Sequence, residues 1–134
     1  MSYTNNPTSI LAGSGITVTP TSGVGAEIIT ISSSGVPTLA VRIAVATPVA
    51  VSATTDDVIS VQVPGPVAVT VNLPAGTTGK TFTIKDGLGL AAPATPITIV
   101  PTAPDLIDGA ASATINAPYG SLTFVFDGGQ WILV

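Results

Sequence analysis

Seven side chains in this sequence are carboxylates and three are cations (Arg42, Lys80, Lys85), while histidine and cysteine are absent. That inventory limits the chemistry at once, because histidine is the usual proton shuttle near neutral pH and cysteine the usual thiolate nucleophile. Asp56-Asp57 is the one adjacent acidic pair, and carboxylates beside loop carbonyls suit Ca²⁺. No EF-hand spacing follows it, so the pair reads as the start of a strand after Thr54-Thr55. Asp105 and Asp108 are spaced to share a metal, but Asp108-Gly109 reads better as a turn that points Ile107 into the core. No metal or other cofactor is expected. Glycoside hydrolysis needs two carboxyl groups across a sugar cleft, and the single glutamate, Glu27, lies in a Gly/Ser/Thr-rich N-terminal segment. Serine hydrolysis lacks its histidine base. Gly13-Ser14-Gly15 and Gly87-Leu88-Gly89 lack the lysine of a phosphate loop. The expectation is a protein that is not an enzyme. Among the aromatics, Phe82, Phe124 and Phe126 alternate with other residues as core positions do, which leaves Tyr119 and Trp131 as the candidate ligand contacts.

The elements that must carry these residues are strands. Valine, isoleucine and threonine make up more than a third of the chain, and β-branched residues suit pleated, half-buried surfaces. From Pro37 onward apolar residues recur at every second position. Val41, Ile43 and Val45 oppose Arg42, Ala44 and Ala46; Ile59, Val61 and Val63 follow; Val67, Val69, Val71 and Leu73 form the clearest run; then come Phe82 and Ile84, Ile97 and Ile99, Ile115, and Leu122, Phe124 and Phe126. Pro64-Gly65-Pro66, Pro74 to Gly79, Asp86-Gly87-Leu88-Gly89 and Asp127-Gly128-Gly129 punctuate the runs, the last two with hairpin chemistry. Short strands with regular turns predict an antiparallel β-sandwich or barrel, jelly-roll-like, over residues 37–134, with Val69, Val71, Phe82, Ile84, Ile99, Phe124 and Phe126 facing inward. No sustained helical period is present. Residues 1–36 hold two short alternating runs around Ile16 and Ile28, with too few large apolar residues for a core of their own. They read as an extended N-terminal β arm.

Charged residues are 7% of the chain and the net charge is −4. Nucleic-acid affinity depends on cations at phosphates, so no nucleic-acid partner is expected, and the same shortage argues against an anionic membrane surface. No apolar run reaches the ~20 residues of a membrane span, and the N-terminus has neither the basic nor the apolar region of a signal peptide. A monomer normally coats itself with charge; ten charges imply that other subunits cover part of this surface.

The segments Thr55-Asp56-Asp57-Val58, Val67 to Pro74, Gly79 to Asp86, Ile97-Thr98-Ile99, Ile107-Asp108-Gly109, Tyr119-Gly120-Ser121 and Asp127 to Trp131 together resemble, in order, a module of bacteriophage virion proteins: tail-fibre tips, head fibres and capsid decoration proteins. Gly13 to Thr19 and Ile29 to Ser32 are similar to segments that precede such modules. The resemblance implies an all-β homotrimer and no catalytic residues. With no room for a fibre shaft, the chain fits a capsid decoration (cement) protein, located on the outer surface of a phage head and partnered by itself and the major capsid protein. The arm residues Ile10, Leu11, Ile16, Val18, Ile28, Ile29 and Ile31 are then the expected capsid contacts, since two strands with unpaired edges invite strand addition by a neighbour. The alternative is a short tail-fibre or spike tip that binds host surface polysaccharide.

Overall fold

The computed structural model describes residues 16–21, 28–33 and 38–134. The chain divides into two units, Met1–Thr38 and Leu39–Val134. In the first, β1 (Ile16–Thr21) and β2 (Ile28–Ser33) pair antiparallel, with Ile16 opposite Ser33 and Thr21 opposite Ile28. Of the expected arm contacts, Ile10 and Leu11 lie outside the described residues, whereas Ile16, Val18, Ile28, Ile29 and Ile31 fall on these two strands.

The second unit holds nine strands: β3 (Val41–Ala44), β4 (Val49–Ala50), β5 (Val58–Val61), β6 (Val69–Asn72), β7 (Thr81–Asp86), β8 (Ile97–Val100), β9 (Ala113–Ile115), β10 (Ser121–Phe126) and β11 (Trp131–Leu133). The fold is all-β, with no helix among the described residues. One sheet has the order β11-β10-β7-β5-β3 and the other β4-β6-β8-β9; neither closes into a barrel.

The expectation of an antiparallel body needs correction, because both sheets are mixed. β3 pairs parallel with β5, β5 with β7, β4 with β6 and β6 with β8. In chain order β3 to β8 alternate between the sheets, so the chain coils: each turn leaves one strand in each sheet, parallel to the strand of the turn before. The antiparallel pairs come at the C-terminal side, where β9 folds back on β8, β10 on β7 and β11 on β10. A jelly roll is built of antiparallel Greek keys, and the coil departs from it. The proline- and glycine-rich breaks after β5 and β6 therefore carry the chain from one sheet to the other, as does the Asp86-Gly87-Leu88-Gly89 loop, which is not a hairpin. Asp127-Gly128-Gly129 does close a hairpin, between β10 and β11: Asp127 Oδ1 accepts the N–H groups of Gly129 and Gln130 at 2.7 and 2.9 Å, and Gly128 takes the positive φ of the turn.

Buried residues of both sheets belong to one hydrophobic cluster, in which Val69, Val71, Phe82, Ile84, Ile99, Phe124 and Phe126 all take part as their alternation predicts. Trp131 completes it. Its ring meets Phe126 edge-on at 5.2 Å between centroids and Phe82 at 5.5 Å, geometries that aromatic pairs favour. Gly76 lets the chain pass directly against the Phe126 ring, where any Cβ would collide.

Candidate functional site

The carboxylates are the groups with most chemical potential, and each of the six aspartates accepts a backbone N–H of the fold itself. Asp56, only 1% exposed, takes the Arg42 guanidinium through both oxygens (Nε 2.9 Å, Nη2 2.8 Å) and the Ser52 N–H at 2.8 Å. Burial alone raises its pKa, but the Arg42 and Ser52 bonds together with the Arg42 and Lys80 charges outweigh that and hold it below the usual carboxylate value. Asp57 points elsewhere, to the Ala40 N–H at 2.9 Å and Lys80 Nζ at 3.0 Å, and the Ala40 bond first, then Lys80, lowers its pKa. The adjacent acids are thus split between two cations instead of converging on one point. Asp105 accepts from the Gly76 N–H of the β6–β7 loop and Asp108 from the Leu133 N–H at the end of β11, so the two point to different places. Among the described residues no three carboxylates gather around a common point.

Asp86 is the most heavily used. Buried at the C-terminal end of β7, it accepts N–H groups from Leu88, Gly89, Ala91 and Tyr119 at 3.0 to 3.3 Å. Burial pushes its pKa up, and backbone N–H groups, those of Ala91 and Tyr119 foremost, more than reverse this. The carboxylate thereby ties the β7–β8 loop to the β9–β10 loop. Its effect on Tyr119 is specific. Tyr119 sits at φ 56°, a left-handed conformation that costs a bulky residue of order 1–3 kcal/mol and persists only where its surroundings impose it. Asp86 holds its N–H, Lys85 Nζ donates to its carbonyl, and the ring lies over Gly89, where a Cβ would collide with it. The result is a tyrosine 62% exposed yet fixed in place, with Lys85 Nζ 5.7 Å from the ring centroid. Half-exposed Leu88 and Leu90 belong to the same loop that Asp86 ties down. Trp131, the other candidate ligand contact, is fully buried and belongs to the core, so a ligand at this surface meets Tyr119 alone of the pair.

A second surface was not singled out by the sequence. On β3 the inward positions go to Ala44, which is buried, and to Arg42, which reaches Asp56 and the Ala50 carbonyl. The large aliphatics face the other way: Leu39 is 72% exposed, Val41 66%, Ile43 58% and Val45 65%. β3 is also the outermost strand of its sheet. The signal in the sequence was Arg42 alternating with aliphatics, a basic residue whose buried acidic partner, Asp56, lies fourteen positions away.

No protein-family model matches the chain, and no curated protein matches it either.

Proposed function

We propose that this chain is a structural virion protein: a capsid decoration protein that binds the outside of a phage head as a homotrimer and stabilises it. The observation that carries this reading is the group of aliphatics on and beside edge strand β3, where Leu39, Val41, Ile43 and Val45 stand exposed on a chain with ten charged residues. Such a surface suits a protein that works covered by neighbours. The six aspartates are engaged by the fold's own N–H groups and by Arg42 and Lys80, which favours a structural over a catalytic role. In this reading the two sheets pack face to face as a sandwich, and residues 1–36 form an arm that adds its strands to capsid protein through backbone hydrogen bonds. A ligand that binds only the assembled shell stabilises it by mass action, and the capsid is the partner the arm would take. Antibody label on the shell of virions that carry the chain is the expected result; label on no part of the particle overturns the proposal.

One observation favours the alternative of a tail-fibre or spike tip that binds host polysaccharide. Tyr119 is exposed and held rigid by Asp86, Lys85 and Gly89, and a fixed aromatic face is what sugar rings stack on. Label at the tail tip, with binding to host polysaccharide lost in Tyr119→Ala, decides for that reading.

A further inference from the structure

We infer that the row Leu39, Val41, Ile43 and Val45 is the surface through which copies of this chain join, three such rows meeting around an axis that runs along β3. This rests on the homotrimer proposed above and names where its subunits touch. Three features of the row support it. The first is its inversion. In β5, β7 and β10 the large apolar residues turn to the core, whereas β3 turns Arg42 and Ala44 inward and its aliphatics outward. Folding of the body cannot account for four exposed aliphatics that it does not bury.

The second is size. Leu39 and Val45 flank β3, and from one to the other the chain spans at most about 20 Å. At roughly 100 Å² of exposed surface each, the four side chains present about 400 Å² of apolar area, in the range of the largest patch a monomer leaves open. That is about half of the ~800 Å² a partner contributes to a standard interface. Part-exposed Val58 beside Val41 and Ser60 beside Ile43 across the ladder extend the row into the sheet.

The third is charge, and it selects a second copy over a foreign partner. Each chain carries −4, so copies repel unless their contact is neutral. The row is: it contains no charged residue, and Arg42, the one cation on β3, is turned away and matched by Asp56. A partner of different sequence would draw register from charge or hydrogen bonds, and the row offers neither. On a three-fold axis each side chain meets its own equivalents, so a uniform aliphatic row is self-complementary. Val and Ile, stiff at χ1, lose little freedom there.

The test uses the full chain. Light scattering should give three times the 13.2 kDa chain mass for the wild type and a single chain mass for V41E/I43E with an unchanged circular dichroism spectrum. Because the chain has no cysteine, Ile43→Cys is a unique and milder probe: a short bis-maleimide should join up to two chains of every three. A wild-type trimer whose V41E/I43E variant stays trimeric, or whose Ile43→Cys variant does not cross-link, overturns this surface and leaves the homotrimer standing. A trimeric V41E/I43E variant that no longer binds particles would give the row to capsid protein and equally overturns it. A wild-type dimer that V41E/I43E dissociates keeps the surface and removes the three-fold axis. A monomeric wild type removes the homotrimer and this inference with it.

Discussion

Strands β3 and β7 lie in the same sheet on either side of β5, and both alternate apolar with polar residues, yet they use the alternation in opposite senses. β7 buries Phe82 and Ile84 completely and turns Thr81, Thr83 and Lys85 outward, with Thr83 joined to Thr123 of β10 through their hydroxyls. β3 turns Val41 and Ile43 outward and keeps Arg42 beside a buried aspartate. Period-2 patterning therefore fixes that a segment is a strand without fixing which face is the core. In β7 the apolar face is the core face because two phenylalanines of β10 and the indole of β11 complete the same cluster. In β3, the outermost strand, the ion pair decides instead. Asp56 is buried and needs a cation, and only one face of β3 can deliver Arg42 to it.

The comparison breaks most visibly in the core. Phe82→Ala on β7 should cost about 3–5 kcal/mol, since a fully buried aromatic leaves a cavity that its neighbours fill only partly. Val41→Ala on β3 should cost the single chain less than about 0.5 kcal/mol, as an exposed substitution does. Chemical denaturation of both variants at concentrations where the chain is dissociated measures the contrast. Equal losses would mean that the two strands share one inward face after all.

Next in size is the ion pair. Arg42→Ala leaves Asp56 with the Ser52 N–H as a partner but without its counter-charge. Breaking a fully buried pair costs 3–5 kcal/mol; the Arg42 side chain is 38% exposed, so water screens part of the charge and the expected loss is about 2 kcal/mol. If the variant melts like the wild type, Asp56 does not set the face of β3.

Acid tests the same pair more gently and adds Asp86 at the end of β7. The pKa values of Asp56, Asp57, Asp86 and Asp127 all lie below the ordinary carboxylate value in the folded chain. Groups depressed by folding contribute stability that is complete above the unfolded pKa, about 3.9 for aspartate, and that disappears as pH falls through the folded values. Stability should thus be level from about pH 7 to pH 5 and decline below about pH 4. Asp86→Asn should start lower at pH 7 and decline less steeply, because one of the groups that titrate on unfolding is gone. A stability that rises on acidification contradicts the direction of these shifts.

Much of the core was legible from spacing. Val69, Val71, Phe82, Ile84, Ile99, Phe124 and Phe126 sit at every second position of their strands, and all are buried. What alternation did not carry was strand direction. Parallel and antiparallel neighbours impose the same period, and turn chemistry speaks only for strands adjacent in sequence. Asp127-Gly128-Gly129 reported the β10–β11 hairpin correctly; the Asp86 loop, with similar residues, crosses between sheets, its carboxylate binding Ala91 further along the same loop and Tyr119 of the β9–β10 loop. Val67, at the head of the clearest run, is exposed because β6 begins only at Val69. Tyr119 was legible as an exposed aromatic but not as a fixed one. Its anchor, Asp86, is thirty-three residues away, and nothing local announces it.

The smallest effect expected is also the sharpest on the role of β3. Ile43→Thr keeps a β-branched side chain of similar shape on an outward position, so strand propensity and the fold of the single chain should be nearly untouched, within about 0.5 kcal/mol. What it removes is apolar area from the row that is proposed to join copies. Folding linked to assembly makes the melting temperature depend on protein concentration. The wild type should therefore melt higher as concentration rises, and Ile43→Thr should show a weaker dependence while matching the wild type at the lowest concentrations. The paired control is Thr81→Ile on β7, which exchanges the same residue types in reverse at an exposed outward position of the same sheet. If Ile43→Thr lowers the melting temperature equally at every concentration, Ile43 supports the fold of its own chain, and the difference between β3 and β7 is one of exposure without a difference in role.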